Sequence, residues 1–292
     1  MTGGRDATSP RRHRAAGAGS ARPRGGAVPD LAELAGRLTD RDRELCRLVW
    51  EHRVLTSLHC AQVVFASPIT ARHRLVLLVR LRVLDRFRPT WPRGEGSPPW
   101  HYVLGPAGAA VLAVEQGITV AQLGWRRDRA LRVAHFPQLA HLIGVNGFFS
   151  ALAAHARRRR DAALVAWWSE RRCAERWGQL VRPDGYGRWR QAGAEVDFFL
   201  EYDRGTEDLG RLLGKLDGYA ELAVVSRIAT PVLFWLPSPA REASFRTAVG
   251  TPAVPLATAS ASAGAVPAGP VWLPLPAEPR TGRVPLVALA GL

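Results

Sequence analysis

Apolar positions recur with helical spacing through the first third of the chain. Thr39-Asp40 is a typical helix start, and leucine and valine follow at helical spacing up to His52. Thr56 can cap a second helix, and Ser67-Pro68 ends that helix and starts a third one, over about residues 69–84. The pattern therefore predicts two short helices joined by a tight turn, as in a helix-turn-helix unit, after a first helix.

The spacing then changes to that of strands. Residues 86–91 and 100–104 form two β-type runs around a Gly/Pro-rich turn. Three helices followed by a two-stranded hairpin are typical of a winged helix. Such a module binds duplex DNA, and the alternative interpretation is that it serves protein contacts or dimerisation.

The second half alternates helices with strands of a different kind. The predicted elements are a helix over 137–160, strands over 163–169, 180–189 and 195–202, a helix over 207–224 and a strand over 231–236. This αβββαβ order favours a mixed sheet, so the predicted fold class is α/β in its α+β form, without the glycine fingerprint of a dinucleotide-binding fold. The Ala/Ser/Thr/Pro-rich residues 250–269 predict a flexible linker, and 271–275 and 283–289 predict two short strands.

The net charge of the chain indicates the kind of partner that it binds. The 292 residues carry a net charge of +15, and Lys215 is the one lysine among the 40 basic residues. Residues 1–29 hold six arginines against one aspartate, which predicts a disordered basic arm. Between Thr56 and Gly94 seven arginines face the single acid Asp85. This concentration favours an anionic partner, namely double-stranded DNA.

The predicted third helix and wing supply the candidate DNA contacts. Side chains near the start of a recognition helix reach base edges, whereas arginines further along the helix and on the wing contact phosphates. The base-reading candidates are Thr70, Arg72 and His73. The phosphate-binding candidates are Arg80, Arg82, Arg88 and Arg93.

The cysteine spacing and the hydropathy of the chain indicate its cellular compartment. Cys46, Cys60 and Cys173 show no CxxC spacing, which argues against a disulfide scaffold or a zinc ribbon. No uninterrupted apolar run reaches the roughly 18 residues that span a bilayer. The sequence therefore predicts a cytoplasmic protein without a membrane partner.

Three acids fall at predicted strand ends in the second half. Asp184 lies in an Arg-Pro-Asp-Gly segment, Glu201 ends the third strand, and Glu170 ends the first. Paired strands can bring such carboxylates together, and oxygen ligands suit Mg²⁺ or Mn²⁺. Taken singly, each acid is more simply a solvated or capping group.

The spacing of these acids carries a resemblance. Pro183-Asp184 followed 17 residues later by Glu201, on successive strands of an αβββαβ core, resembles the PD-(D/E)XK fold of restriction endonucleases. The resemblance implies that Asp184 and Glu201 bind metal. Where that motif has a lysine this chain has Asp203, and Lys215 lies on the following helix, where some members of the fold carry a displaced lysine. The implied catalytic set is Asp184, Glu201 and Lys215, with metal bound by Asp184, Glu201 and Glu170.

The longer segments resemble a more specific family. RLRVLDRFR at 80–88, RPDGYGRW at 182–189 and FFLEYDRGTEDLGRLLGKLDGY at 198–219 resemble the replication-relaxation family of bacterial plasmids and mobile elements. The resemblance implies a DNA-binding accessory or regulatory protein, with plasmid replication or mobilisation proteins as partners. The alternatives are a metal-dependent nickase and a transcription regulator with an inactive second domain; whether the chain forms a homodimer stays open. The predicted organisation is a basic arm over 1–29, a winged-helix domain over 30–120 and a nuclease-like domain over 135–292.

Overall fold

A computed structural model of the chain describes residues 31–89, 97–262, 264–275 and 282–292. Within these ranges the fold is of mixed α/β class, as predicted, with helices packed on two sheets. The helices are α1 (Leu31–Arg37), α2 (Asp40–His52), α3 (Ser57–Val64), α4 (Pro68–Arg80), α5 (Pro106–Glu115), α6 (Val120–Leu123), α7 (Arg127–Arg132), α8 (Leu139–Ala156), α9 (Glu170–Trp177), α10 (Leu209–Ser226) and α11 (Pro239–Val249). The strands are β1 (Leu55–Thr56), β2 (Leu84–Phe87), β3 (His101–Leu104), β4 (Ala162–Ser169), β5 (Gly185–Gln191), β6 (Ala194–Tyr202), β7 (Val232–Leu236), β8 (Leu256–Ser260) and β9 (Leu273–Leu275).

Side-chain caps fix the helices of the first half where the sequence predicts them. Thr39 caps α2, Thr56 caps α3 and Ser67 caps α4, each accepting a hydrogen bond from a backbone N–H of the first turn. Helix α4 ends at Arg80, four residues before its predicted end. Arg82 adopts a positive φ of 59°, which turns the chain into β2. The antiparallel order β1-β3-β2 closes this half.

The second half is built on one six-stranded sheet of order β4-β5-β6-β7-β8-β9. Neighbours are antiparallel from β4 to β6, parallel from β6 to β8, and antiparallel between β8 and β9. Ala192 and Gly193 join β5 to β6, both with positive φ, as the tight turn of a right-twisted hairpin requires. The predicted αβββαβ order is present, with the short helix α9 inserted between β4 and β5.

Alternation along β6 divides the sheet into two apolar faces. Phe198 and Leu200 point toward α8, together with Trp189, Trp235 and other core residues. Phe199 points to the opposite face, which α9, α10 and α11 cover. Glu201, two positions after Phe199 on the same strand face, is fully buried there. It contacts Lys215 and Tyr219 of α10.

Three sequence predictions differ from the structure in this half. The linker predicted over 250–269 contains β8, whose five residues are all buried between two neighbouring strands, so a linker-like composition here forms a core strand. The strand predicted over 283–289 is reduced to a single bridge at Val284, because Pro285 interrupts it before a 3-10 helix. Residues 180–184 precede β5 instead of forming its start. The predicted basic arm lies outside the described residues.

The two halves are joined through α8. Helix α8 packs on α3, and the buried amide of Asn146 donates hydrogen bonds to the carbonyls of His52 and Val54 at 3.3 and 2.7 Å. The His52 ring stacks on Trp167 of β4 with 3.8 Å between ring centroids. Glu51 accepts hydrogen bonds from the backbone N–H and hydroxyl of Ser169. The residues between the predicted domains, 120–135, form α6, α7 and a 3-10 turn; the domain boundary itself stays a prediction.

Helix α8 also has the length and mean hydropathy of a membrane-spanning segment, with 18 residues at 1.3. That differs from the expectation that no such stretch exists. In this fold α8 lies between α3 and the large sheet and supplies Phe148, Phe149 and Leu152 to the core. Its apolar character is accounted for by two-sided packing.

The buried histidines His52 and His59 should lower the stability of the fold as the pH drops below about 6.5. Complete burial lowers the pKa of His52 to about 3, and burial lowers that of His59 to about 4. In this pH range the two histidines bind protons in the unfolded chain but stay neutral in the folded one. Each histidine therefore destabilises the folded state increasingly as the pH falls from about 6.5 toward its lowered pKa. For His52 the loss at pH 5 is about 2 kcal/mol.

Urea unfolding of the wild type and His52→Phe at pH 7.5 and 5 measures this effect. His135→Phe, at an exposed position, is the matched control. An equal loss of stability in wild type and His52→Phe would contradict the role given to His52.

Candidate functional site

Asp184 is fixed at the point where β5 begins. One carboxylate oxygen accepts a hydrogen bond from the backbone N–H of Tyr202 at 2.8 Å. The other lies 3.0 Å from Nε2 of His141 on α8. Burial lowers the pKa of His141, but the hydrogen bond to Asp184 and its charge outweigh burial, so the pKa is raised. His141 thus favours its protonated form beside this carboxylate.

Glu201 is the most deeply buried acid of the site, with no exposed surface. Both of its oxygens accept hydrogen bonds from α10: Lys215 Nζ donates to Oε2 at 2.5 Å, and the Tyr219 hydroxyl donates to Oε1. Burial raises the pKa of Glu201, and the charge of Asp184 adds to this, against the opposite influence of Lys215 and Tyr219. Burial lowers the pKa of Lys215, but the negative charges of Glu201 and Asp184 outweigh burial, so the pKa of Lys215 is raised.

The structure brings the implied catalytic set into one place. Asp184 is near enough for its charge to act on both Glu201 and Lys215. Asp184 and Lys215 line a cleft of about 760 Å³ between the two halves, and Glu170, the first residue of α9, lines the same cleft. Glu201 lies behind this surface, beneath Lys215.

Asp203 does not crowd this group as a third unpaired acid. It lies just past the end of β6, and Nε of Arg241 on α11 donates to Oδ2 at 2.7 Å. Its other oxygen accepts the backbone N–H of Gly205. Arg182, two residues before Asp184, donates to the carbonyl of Gly178. Arg241 supplies the charge instead.

This arrangement does not fit a divalent metal ion. Across the part of the chain that the structure describes, no group of three or more His, Cys, Asp or Glu side chains is placed to hold one. All four oxygens of Asp184 and Glu201 face protein donors, two of them cationic side chains when His141 is protonated. The set expected to bind metal, Asp184, Glu201 and Glu170, is therefore not assembled as one ligand shell.

A second candidate surface lies on α4 and the β2–β3 hairpin. Thr70, Arg72 and His73 are exposed in the first half of α4, and Arg80 is exposed at its end. Arg82 is half-buried in the turn after α4, and Arg93 lies outside the described residues.

The hairpin holds its arginines on an aromatic ring. The guanidinium of Arg88 lies 4.2 Å from the centroid of Trp100, and that of Arg86 lies 4.0 Å from the same ring. Such stacking restricts long side chains without neutralising them. Arg86 was not among the predicted DNA contacts, although strand alternation places it on the same face as Arg88.

Other functional residues were harder to find in the sequence. His141 lies within an apolar helix and carries no spacing signal that links it to Asp184. Arg74, one of the seven clustered arginines, pairs with the buried Asp42 and donates to the carbonyl of Arg37. Its charge is thus committed to the fold, which reduces the free positive charge on this surface.

Comparison with known proteins adds one finding. A family model described as Replication-relaxation matches residues 47–233, which is more than half of the chain and includes both candidate surfaces. No match was found among curated proteins, and none among solved structures.

Replacing Lys215 should destabilise the fold through Glu201. Lys215→Met leaves the fully buried Glu201 without its cation, and at a pH above its raised pKa of about 8, where Glu201 is ionised, we expect a loss of about 3 kcal/mol in the free energy of unfolding. Because Glu201 can then take up a proton, the loss should shrink as the pH falls. Lys215→Arg should also destabilise, since the planar guanidinium does not replace a compact ammonium.

Urea denaturation measures these differences, with Arg211→Met on the exposed surface of the same helix as the control for lost charge. The double variant Lys215→Met/Glu201→Gln should recover at least half of the loss. Full stability in Lys215→Met would show that the ion pair does not support the fold.

Proposed function

The chain belongs to the replication-relaxation family, and we propose that it is a DNA-binding accessory or regulatory protein of plasmid or mobile-element replication and DNA relaxation in bacteria. In this proposal the first half is a winged helix that binds duplex DNA. The second half is a nuclease-like domain that contributes to binding or assembly rather than to cleavage. The protein acts in the cytoplasm, with plasmid replication or mobilisation proteins as its partners.

One observation carries the DNA-binding proposal. Helix α4, which exposes Thr70, Arg72 and His73 in its first half, lies beside a hairpin whose Arg86 and Arg88 stack on Trp100. A helix of this kind fits the major groove, where arginine can donate to guanine edges. Arginines held on an indole ring are ordered before binding, so contact with phosphates costs less side-chain entropy. The net charge of +15 adds long-range attraction for DNA.

The topology of the second half supports the nuclease-like interpretation. An antiparallel β4-β5-β6 unit followed by a parallel β7, with α8 and α10 on opposite faces, is the arrangement expected of the PD-(D/E)XK core. Against cleavage stands the occupation of its acids by Lys215, Tyr219, His141 and a backbone N–H. Binding without cutting is therefore the function that this site supports better.

A metal-dependent nickase is the second candidate. It is favoured by the convergence of Asp184, Glu201 and Lys215 beside an open cleft. For this candidate the carboxylates would have to exchange their present hydrogen-bond donors for metal. Mg²⁺ or Mn²⁺ would be the ion of that state.

Duplex binding should depend steeply on salt. If α4 and the hairpin neutralise about four to six phosphates, the plot of log affinity against log salt has a slope of about −4 to −5. Fluorescence anisotropy with a labelled duplex at salt concentrations from about 50 to about 300 mM measures this slope. A flat response would make the module a protein-contact domain.

Substitutions separate the helix from the hairpin within the same assay. Arg72→Ala and His73→Ala should reduce discrimination between duplex sequences, whereas Arg88→Ala should weaken every duplex alike, with a slope smaller by about one. Trp100→Leu should also weaken every duplex alike, since it releases the guanidinium groups of Arg86 and Arg88, but it keeps both charges and so should leave the slope unchanged. A larger change in sequence preference from the hairpin variants than from the helix variants would contradict this docking.

Supercoiled plasmid tests whether the chain cuts DNA. With Mn²⁺ present we expect the plasmid to stay supercoiled, because every oxygen of Asp184 and Glu201 already has a protein donor. The same result is expected for Asp184→Ala and for the exposed control Asp217→Ala. A nicked product that disappears only in Asp184→Ala would establish the nickase instead.

A further inference from the structure

A basic and aromatic pocket lies beside the cleft of about 760 Å³ that Glu170 and Asp184 line, which is called the acidic cleft below. Its cavity of about 190 Å³ has no acidic side chain among the described residues that line it. The polar and aromatic lining consists of Arg53, Arg126, Arg129, Arg171, Trp50 and Trp125. Arg53 and Arg171 also line the acidic cleft, so the two cavities share a wall.

Much of the positive charge in this pocket is not neutralised by the protein. Arg126 pairs with exposed Asp128 at 3.3 Å, and Arg171 lies 3.6 Å from Glu51. Of the carboxylates that the structure describes, none forms a salt bridge with Arg53 or Arg129. Burial lowers the pKa of Arg53, and the charges of Arg171 and Arg129 lower it further, against Glu170. These like charges repel, and a bound anion would relieve that repulsion.

Arg53 is held in a backbone conformation that favours glycine. Its φ of 67° and ψ of −39° form a tight turn in which the Val54 N–H donates to the His52 carbonyl at 2.8 Å. The buried amide of Asn146 donates to both of the flanking carbonyls and so fixes this turn. Strained backbone of this kind persists where the surroundings impose it, and it concentrates at functional sites.

Aromatic rings surround the arginine cluster. The guanidinium of Arg53 lies 4.3 Å from the centroid of Phe136, and that of Arg171 lies 5.4 Å from the centroid of Trp50. Trp125 is fixed by a hydrogen bond from its indole N–H to the Leu104 carbonyl. Cations that bind phosphate next to rings that stack on bases are the combination found in single-strand binding sites.

We propose that this pocket binds one nucleotide unit of an unpaired DNA strand, with Arg53 and Arg129 on its phosphate. The proposal rests on the proposed DNA-binding function and adds a second, single-stranded contact to it. A cavity of about 190 Å³ is too small for a duplex, but it can take the phosphate and part of one unpaired unit. The shared wall at Arg53 and Arg171 places the following nucleotide beside the acidic cleft, where Asp184 and its donors lie.

The test uses the full chain and a short labelled oligothymidylate, with a labelled hairpin duplex and free thymidine monophosphate as further probes. Arg53→Gly removes the charge while suiting the positive φ, so its thermal stability should equal or exceed that of wild type. Arg129→Ala is the second variant. Arg160→Ala, exposed beyond the end of α8 and outside both cavities, is the control for lost charge.

We expect Arg53→Gly and Arg129→Ala to weaken oligothymidylate binding about five- to tenfold. Their affinity for the DNA hairpin duplex should stay within about twofold of wild type. Arg160→Ala should bind both probes like wild type. Wild-type affinity for oligothymidylate in a folded Arg53→Gly and in Arg129→Ala would overturn the proposal. So would saturable binding of the monophosphate that these variants abolish while strand binding is unchanged.

Binding of the DNA hairpin duplex separates this proposal from the proposed function. If Arg72→Ala and Arg88→Ala leave hairpin binding unchanged while Arg53→Gly still loses the single strand, the winged-helix assignment fails and the pocket assignment stands.

Discussion

The burial of the Glu201 carboxylate is the constraint on which the second half of the molecule depends. A fully buried acid is tolerated only when donors and a cation replace the water it has lost. Here α10 supplies both, through Lys215 and Tyr219, and the position of α10 across the end of β6 follows from that requirement. The same constraint orients Asp184, whose carboxylate caps the backbone N–H that follows Glu201. One buried charge thus fixes a strand end, a helix and the floor of the cleft.

A second constraint ties this site to the first half. Asn146 is buried on α8, so its amide must find acceptors, and it finds them in the carbonyls on either side of Arg53. The turn that results carries Arg53, whose side chain is exposed, to the wall that the two cavities share. Stacking of His52 on Trp167 and the hydrogen bonds from Ser169 to Glu51 hold the same junction. The basic and aromatic pocket therefore lies where the two halves meet.

The sequence predicted much of this fold because its helix starts and strand alternation are local signals. Thr39, Thr56 and Ser67 cap the helices that they were expected to cap, and the αβββαβ order follows from apolar periodicity. Strand β8 was not predicted, since its burial depends on neighbours distant in sequence rather than on its own composition. For the same reason Asp184, Glu201 and Lys215 could be proposed together from motif spacing, whereas the pairing of Asp203 with Arg241 and of Asp184 with His141 could not.

The retention of a lysine at 215 follows from the geometry of the buried pair. Thirty-nine other basic positions carry arginine, so a preference for arginine in this chain is general. Arginine needs acceptors for a planar fork of five N–H groups, whereas the ammonium of lysine presents a compact charge. At Glu201 one oxygen is already taken by Tyr219, which leaves a single oxygen for the cation. A guanidinium there would direct a planar fork of donors at a single oxygen, and this mismatch accounts for the exception.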